Sequence, residues 1–298
     1  MAFVTDAGGL RADGPAYRGV TQAVGQIGCA KSELISSVRP SDYRRNLQLA
    51  ADHHNDLVVA ASFLLSDAVV AAAQSNPGIP FLLVDAVVLP AGAPNLTEIA
   101  FRRDQAAFLA GALAAMLTRS GVVAGVYGPG GTIDQQQRLA FQRGADYVRP
   151  GLRVLGADQP ADDGAPYGNP AWGESQARAF AGQKADVIFG AGGGTGAGAL
   201  AGAAAMGRLC IGVDVIALPA PEDPSCLVAN ARTSIDRGVD LEVVAAARGS
   251  RTTWLVSVGL REGAVGLDSF GPALTPEIQQ RLRDIADKLI AGTLFTGV

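Results

Sequence analysis

The sequence predicts an α/β protein of two lobes, each a doubly wound parallel sheet covered by helices. Short apolar runs alternate with helical stretches over most of the 298 residues, a pattern typical of parallel strands joined by helical connections. One such series is followed by a second, and the length suits two units of about 100–150 residues each. Hydrophobic residues make up 48% of the chain and glycine occurs 38 times, which supplies apolar material for the cores and small residues for close helix packing.

The first series covers the amino-terminal third of the chain. Ser41 or Asp42 is suited to cap a helix at its amino end, and the turn at Asn76-Pro77-Gly78 ends the helix after it. The predicted strands are Ala2–Val4, Leu34–Val38, Asp56–Ala60, Ile79–Val84 and Leu96–Phe101, and the predicted helices are Pro15–Gln26, Ser41–Asp52 and Leu64–Ser75.

The second series repeats the alternation and contains two loop-like stretches, Pro160–Gly173 and the glycine loop Gly190–Gly198. Its predicted strands are Val122–Tyr127, Arg153–Ala157, Ala185–Phe189 and Leu209–Val213, and its predicted helices are Asp104–Thr118, Asp134–Val148, Glu174–Gln183 and Ala199–Met206. Together the two series predict two parallel sheets with helices on their faces.

The tail that follows is too short for a third domain. Its predicted elements are the strands Ser225–Asn230 and Thr253–Val258 and the helices Ser234–Arg248 and Pro276–Ala291. Because no low-complexity linker separates the halves, we expect the tail to return to the first lobe and then to cross to the second.

Charge and motif content argue against several classes of function. The net charge of −4 gives no electrostatic reason to bind nucleic acid, and no apolar run is long enough to predict a membrane span. The two histidines, His53 and His54, are adjacent and no CxxC occurs, so we expect no zinc site. The GxSxG, HExxH and Walker A motifs are also absent. We therefore expect no cofactor, no metal and no catalysis.

The three cysteines are Cys29, Cys210 and Cys226. An odd number excludes a fully paired disulfide framework. We expect three buried thiols, with a bridge between Cys210 and Cys226 as the alternative.

Three predicted strands end in an aspartate: Asp6 after AFVT, Asp85 after FLLV and Asp214 after CIGV. Ligands of open parallel sheets bind beyond the carboxyl ends of the strands, and carboxylates accept hydrogen bonds from paired hydroxyls such as a ribose diol. The alternative for each aspartate is a structural role, as a helix cap or a turn residue. We expect the three carboxylates to line one cleft.

The glycine loop reads GAGGGTGAG between a strand and an Ala-rich helix. A turn of this kind brings backbone N–H groups close to a ligand. It also fits a dinucleotide fingerprint, because Gly192, Gly194 and Ala197 match GxGxxA and Asp214 follows at the spacing of a ribose-binding acid. Against a dehydrogenase, the motif lies deep in the chain and no catalytic acid or base is evident beside it.

Aromatic residues are sparse, at 6% of the chain, so those near strand ends are candidates for contact with a ligand. A flat base is held well between two aromatic faces. The candidates are Phe63, Trp172, Phe189 and Tyr17. Core packing is the alternative for Phe63 and Phe189, whereas Trp172 is predicted to lie in a loop, where packing explains it less well.

Six segments spread over the chain carry a resemblance to a known family. They are VTDAGG at Val4–Gly9, FLLSDAVVAAAQSNPGIPFLLVD at Phe63–Asp85, FRRDQAAFLAGALAAMLTRSG at Phe101–Gly121, NPAWGESQARAF at Asn169–Phe180, ADVIFGAGGGTGAG at Ala185–Gly198 and IGVD at Ile211–Asp214. In this order they resemble the basic membrane lipoprotein (BMP, PnrA-like) family, the nucleoside-binding substrate-binding proteins of bacterial ABC importers.

The resemblance implies the type I periplasmic-binding-protein fold, with two lobes joined by three hinge crossovers. The crossovers are expected near Ile99–Arg103, Leu227–Arg232 and Leu255–Leu260. The amino-terminal lobe would contain residues 1–101 and 230–254 and the carboxy-terminal lobe residues 102–229 and 255–298, with the ligand cleft between them.

The resemblance also assigns site residues. Asp6 and Asp85 occupy positions that contact the nucleoside in the family, and Asp214 occupies the position that binds ribose hydroxyls. The loop that approaches the ligand with its backbone is Gly192–Gly196, which includes the candidates Gly193 and Gly194. Arg232 is the nearest equivalent of a lysine that usually contributes to ligand binding in the family.

One loop departs from the family. After VTDxGG the family usually has a longer loop with Ser-Phe-Asn, whose Phe stacks on the base and whose Asn hydrogen-bonds it. This chain instead reads LRADGPAYRG at Leu10–Gly19. Tyr17, or a residue of another loop, is expected to replace the missing ring. The departure leaves the identity of the base open, while the ribose-directed carboxylates remain.

We therefore expect a monomeric solute-binding protein that captures a nucleoside, with a purine nucleoside as the first choice, by lobe closure. Its expected partner is an ABC permease, and its expected location is extracytoplasmic, lipid-anchored through a cysteine that follows a signal peptide upstream. The alternatives are an NAD(P)-dependent oxidoreductase that uses Gly190–Gly198 and an intracellular small-molecule sensor of the same fold. No helix-turn-helix segment or basic patch indicates direct DNA binding.

Overall fold

The computed structural model describes residues 1–6, 14–28, 31–88, 92–163, 165–214, 226–250, 254–269 and 273–298. The chain forms two compact units, here called the first unit (Met1–Phe101 with Ser234–Ala264) and the second unit (Arg102–Thr233 with Val265–Val298). The chain therefore passes from one unit to the other three times.

The two units are built from twelve strands and nine α-helices in the described ranges. The strands are β1 (Ala2–Thr5), β2 (Glu33–Ile35), β3 (Val58–Ala61), β4 (Phe81–Val84), β5 (Leu96–Phe101), β6 (Val122–Tyr127), β7 (Arg153–Asp158), β8 (Val187–Gly190), β9 (Leu209–Val213), β10 (Leu227–Thr233), β11 (Leu255–Val258) and β12 (Val265–Ser269). The helices are α1 (Pro15–Ile27), α2 (Tyr43–Asp52), α3 (Ser66–Ser75), α4 (Arg103–Leu117), α5 (Thr132–Val148), α6 (Pro170–Gly182), α7 (Gly193–Ala205), α8 (Ile235–Ala247) and α9 (Pro276–Ala291). Single 3₁₀ turns at Pro40–Asp42 and Phe63–Leu65 precede α2 and α3.

Each unit contains one six-stranded sheet, and the strands of the two sheets follow the same order. The order is β11-β5-β4-β3-β1-β2 in the first unit and β12-β10-β9-β8-β6-β7 in the second. In both, the first strand of the unit lies between its second and third strands. The strand order therefore reverses between β1 and β3 in the first unit and between β6 and β8 in the second, which is the switch point where ligands of such sheets bind.

The strand β12 was not expected from the sequence. It pairs antiparallel with β10, from Ala229 opposite Ser269 to Thr233 opposite Val265, so the second sheet is mixed rather than wholly parallel. The segment is short and contains a glycine, and it gains its partner only through tertiary contact. A parallel sheet with one antiparallel edge strand is common in α/β folds.

The last predicted boundary between the lobes also shifts. The sequence analysis assigned residues from 255 onward to the carboxy-terminal lobe, but β11 pairs in parallel with β5, from Leu255 opposite Glu98 to Val258 opposite Phe101. The chain leaves the first unit only after Ala264. Backbone pairing along a sheet edge decides this position, and no local sequence pattern reports it.

Cys210 and Cys226 form a disulfide bond, which corrects the expectation of three buried thiols. Cys210 lies within β9, and Cys226 directly precedes β10, the strand that pairs with β9. Both residues are buried against the same apolar cluster of the second unit. Cys29 lies outside the described residues.

Breaking this disulfide is expected to destabilise the second unit by about 3 kcal/mol, because a cross-link over such a loop restricts the unfolded chain. The two cysteines are 16 positions apart. Urea unfolding followed by circular dichroism, with and without a phosphine reductant, measures the effect. A Cys210→Ala/Cys226→Ala double variant is the matched control, because the reductant should leave its unfolding curve unchanged. An unshifted curve for the reduced wild-type protein would contradict the prediction.

Candidate functional site

The switch point of the first unit is bordered by two predicted site residues. Asp6 directly follows β1, and Phe63 lies two residues after β3. Phe63 is 70% exposed, in a turn that begins where the Ser62 Oγ accepts the Leu64 N–H at 3.2 Å. An exposed aromatic ring at the carboxyl end of a central strand is available to stack on a ligand.

Tyr17, the suggested replacement for the missing base-stacking ring, lies in the first turns of α1. Its ring packs on the buried Phe3 ring of β1 with 5.6 Å between centroids, so one side of it belongs to the first unit's core. Residues 7–13, which include the first four residues of the Leu10–Gly19 segment, lie outside the described residues.

The switch point of the second unit is formed by glycine-rich backbone. Gly128 follows β6, and Gly192 and Gly193 follow β8 with φ angles of 89° and 61°. α7 begins at Gly193, so the predicted loop Gly190–Gly198 is mostly helix. Gly193 and Gly194 therefore lie in the first turn of α7, where helical N–H groups have no acceptor within the helix.

The glycines farther along α7 are explained by packing against α6. A Cβ at Gly202 would lie 2.6 Å from the Glu174 carbonyl oxygen, and a Cβ at Gly198 would collide with the Pro170 carbonyl. Close helix packing therefore requires these two glycines. Both lie outside the Gly192, Gly194 and Ala197 fingerprint, so they do not bear on the dehydrogenase alternative.

Tyr167 is a candidate site residue that was not among the residues expected from the sequence. It is 45% exposed and has a φ of 62°, a conformation uncommon for a bulky residue. Its carbonyl oxygen lies over the start of α7 and accepts the Thr195 N–H at 3.3 Å. The sequence signal for Tyr167 was its position in a Pro- and Gly-rich stretch just before a helix cap. Trp172, in the same stretch, was the residue expected to contact a ligand.

Trp172 lies in the first turn of α6 and not in a loop. Pro170 begins that helix, and the Asn169 Oδ1 accepts the Trp172 N–H at 3.0 Å as a cap. The indole packs against the apolar cluster of the second unit. The residue is half-buried, so packing accounts for part of its ring surface, and its contact with a ligand stays a prediction.

Phe189 is completely buried, so its assignment to base stacking is corrected. Its ring stacks on Phe141 of α5, with centroids 4.9 Å apart and planes 4° from parallel, and it meets the Tyr127 ring edge-on. The side chain points to the helix-covered face of the sheet and leaves no ring surface for a ligand.

Asp85 and Asp214 occupy equivalent positions in the two units. They follow β4 and β9, which are the third strands from the same edge of each sheet. Their φ angles are 61° and 50°, and each N–H bonds the neighbouring strand, Asp85 to the Ile99 oxygen at 2.9 Å and Asp214 to the Ala231 oxygen at 3.0 Å. Such left-handed non-glycine residues cluster at ligand clamps and other functional sites.

The Asp214 carboxylate is also tied to a crossover. Its Oδ1 accepts the N–H of Thr233 at 2.6 Å, and Thr233 is the last residue of the second unit before the chain enters the first. The next residue, Ser234, donates its N–H to the Ala264 oxygen at 2.8 Å, so the second and third crossovers run side by side. A change at Asp214 therefore acts directly on backbone at a crossover.

Arg232 directly precedes Thr233 on β10. Its Nε bonds both carboxylate oxygens of Asp268 on β12 at 3.2 Å. The guanidinium lies across Gly266, where a Cβ would be 2.8 Å from the Arg232 Nη2. The arrangement holds the positive charge at the β10–β12 edge of the second sheet.

Two kinds of feature are absent from the described residues. No three His, Cys, Asp or Glu side chains there are grouped so that they would bind a metal ion. The helices in the same ranges are also too short or too polar to cross a bilayer.

The chemistry that these residues offer is recognition of a small polar ligand with a flat part. Strand-end carboxylates accept hydrogen bonds from hydroxyl pairs, α7 presents N–H groups at its amino end, and the exposed rings of Phe63 and Tyr167 suit stacking.

Comparison with known proteins agrees with this chemistry. A family model described as "ABC transporter substrate-binding protein PnrA-like" matches residues 15–294. The chain is 26% identical over 275 residues to Basic membrane protein A of Borreliella burgdorferi, covering 87% of this chain and 76% of that protein. It is 28% identical over 166 residues to the ABC transporter nucleoside-binding protein BmpA of Lactococcus lactis, covering 56% and 45%. An ABC transporter solute-binding protein from Aeropyrum pernix has a similar fold, with a TM-score of 0.71, 20% identity, and coverage of 99% of this chain and 92% of that one.

Proposed function

Because the chain belongs to the Bmp family of PnrA-like ABC transporter substrate-binding proteins, we propose that it captures a nucleoside outside the cytoplasm and delivers it to a membrane permease. The observation that carries the proposal is the pair Asp85 and Asp214, two strand-end carboxylates held in a left-handed conformation at equivalent sheet positions. A relative of this chain has a nucleoside-binding name.

The ribose is the part of the ligand to which the carboxylates are directed. Asp214 accepts hydrogen bonds from two sugar hydroxyls, and Asp85 supports one of them. Carboxylate–hydroxyl bonds are charge-assisted and stronger than neutral ones. Arg232 is the further candidate on this side of the ligand, and it keeps its ion pair with Asp268.

The base is held by aromatic rings and backbone. Phe63 from the first unit and Tyr167 from the second are exposed at their switch points. Asp6 follows β1, which pairs with β3, the strand that precedes Phe63. Gly193 and Gly194 present backbone N–H groups beside Tyr167. A purine, with its larger stacking surface, is the first choice of base.

Capture works by closure of the two units over the ligand. A ligand that contacts both units stabilises the closed arrangement by the difference in its affinity for the two states. The three crossovers supply the hinge, and the permease reads the closed surface. The protein acts as a monomer without catalysis.

The disulfide supports an extracytoplasmic location. Disulfides persist in oxidising compartments and are rare where thiols are kept reduced, and Cys210 and Cys226 are bonded here. A lipid anchor would hold the protein at the membrane surface, as the name of its relative Basic membrane protein A suggests.

The proposal is tested by native mass spectrometry of the freshly purified protein, followed by calorimetric titration with purine and pyrimidine nucleosides, free bases, ribose, NAD and NADP. We expect a retained or added nucleoside with one-to-one stoichiometry and no heat with NAD or NADP. Binding of NAD(P) with no response to any nucleoside would favour the oxidoreductase and overturn the proposal. Binding of ribose as tightly as any nucleoside would restrict the ligand to a sugar.

A further inference from the structure

The candidate ring Tyr167 is held by a buried carboxylate outside the predicted site. Asp134 lies in the first turn of α5, directly after the glycine loop that follows β6. It is 2% exposed, and its Oδ2 accepts the Gly131 N–H at 3.2 Å and the Tyr167 hydroxyl at 3.0 Å. A carboxylate this deeply buried needs such partners, because an unsatisfied one is costly.

The Tyr167 hydroxyl is therefore engaged by Asp134 in a partly buried hydrogen bond. Burial, together with the adjacent Asp134 carboxylate, raises the pKa of Tyr167 to about 12, so the hydroxyl remains a donor to Asp134 at every working pH. Burial also raises the pKa of Asp134. The phenol oxygen is bonded to Asp134 of α5, and the residue as a whole is 45% exposed.

The ring is also fixed from below. A Cβ at Gly128 would lie 2.7 Å from the Tyr167 Cδ1 and 2.7 Å from the Asp134 Oδ1, so the ring and the carboxylate together fill the space over Gly128. Glycine at this position lets the tyrosine lie directly on the backbone at the carboxyl end of β6.

The backbone of Tyr167 is held by a second set of buried groups. Its N–H donates to the Gln159 Oε1 at 3.1 Å, and the same oxygen accepts the Thr195 hydroxyl at 2.7 Å. Gln159 and Thr195 are both buried. With backbone, hydroxyl and one ring face held, the orientation of the other ring face is determined.

We propose that Asp134 is a positioning residue that holds the Tyr167 hydroxyl and thereby presents the exposed ring face of Tyr167 to the base of the ligand. The proposal rests on the proposed nucleoside capture. It assigns Tyr167 to stacking rather than to hydrogen bonding with the ligand, because its hydroxyl is occupied by Asp134.

The test compares a nucleoside with a base-free probe, methyl β-D-riboside, in calorimetric titrations of the full chain. Asp134→Ala is expected to weaken nucleoside binding about tenfold, the lower part of the range for one base–aromatic stack, and to change riboside binding less than twofold. Asp134→Asn keeps an acceptor oxygen and should recover most of the affinity. Gln136→Ala, an exposed change in the same helical turn, should leave both affinities unchanged.

Tyr167→Phe distinguishes positioning from direct contact. If the hydroxyl acts only through Asp134, the single variants Tyr167→Phe and Asp134→Ala show the same loss, and the double variant shows no further loss. A loss in Tyr167→Phe with wild-type affinity in Asp134→Ala would overturn the proposal, as would equal losses for nucleoside and riboside, which indicate general damage to the unit. A wild-type protein that binds no nucleoside overturns the proposed function and this inference together, whereas wild-type binding that Asp134→Ala leaves unchanged overturns the inference alone.

Discussion

Replacing Asp214 by alanine is expected to weaken nucleoside binding by roughly 10²–10⁴-fold. Two charge-assisted hydrogen bonds to sugar hydroxyls, each worth about 1.5–3 kcal/mol, account for this loss. Isothermal titration with the nucleoside found by mass spectrometry measures it. The expected effect is large because the site offers the ribose an ionised acceptor at a position where a strand ends.

The same substitution releases the crossover. The Thr233 N–H, which the Asp214 Oδ1 accepts at 2.6 Å, would lose its partner. Asp214→Asn separates the two effects, because an amide oxygen still accepts from Thr233 while the charge toward the sugar is lost. We expect an intermediate affinity for Asp214→Asn and unchanged affinity for Asp284→Ala, an exposed carboxylate on α9. Unchanged affinity in Asp214→Ala would remove the ribose assignment.

Replacing Phe189 by alanine is expected to lower the free energy of unfolding by about 3–5 kcal/mol, the usual cost of emptying a large aromatic site in a core. The ring is completely buried and stacks on Phe141 at 4.9 Å, so its removal leaves a cavity beneath α5. Thermal or urea unfolding followed by circular dichroism measures the change.

Phe63→Ala is the matched comparison, because Phe63 is an aromatic residue at the equivalent end of the first sheet but is 70% exposed. We expect a stability change within about 0.5 kcal/mol, as for other surface substitutions, and weaker nucleoside binding by about 1–3 kcal/mol from the lost stack. A strong loss of stability in Phe63→Ala, or none in Phe189→Ala, would reverse the roles that the structure assigns to the two rings.

Element type was predictable from the sequence because it depends on local patterns. The strands Leu96–Phe101, Val122–Tyr127 and Leu209–Val213 and the helix Pro276–Ala291 have the predicted bounds. Helix starts were less predictable. α6 and α7 begin earlier than expected, since a proline at the first helical position and glycines in contact with a neighbouring helix look like loop residues when their partners are unknown.

Some candidate site residues were likewise predictable from local sequence and others were not. An aspartate after an apolar strand is visible in the sequence, and the structure places Asp85 and Asp214 at equivalent strand ends with the same unusual backbone conformation. Aromatic residues gave no such signal, because whether a ring is exposed depends on what lies across the sheet. Phe189 proved to be completely buried, Trp172 to be half-buried, and Tyr167 to be exposed.

The sequence by itself determined the α/β class, the repeated series of elements, the family and the strand-end carboxylates. Each of these is recognised from short segments, whose residues are close together along the chain. The tertiary structure alone decided the antiparallel strand β12, the Cys210–Cys226 disulfide and the Asp134–Tyr167 hydrogen bond. These pairings join residues that are not neighbours along the chain. Strand pairing within the second sheet, and the placement of the 159–169 segment over the ends of β6 and β8, bring their atoms within bonding distance.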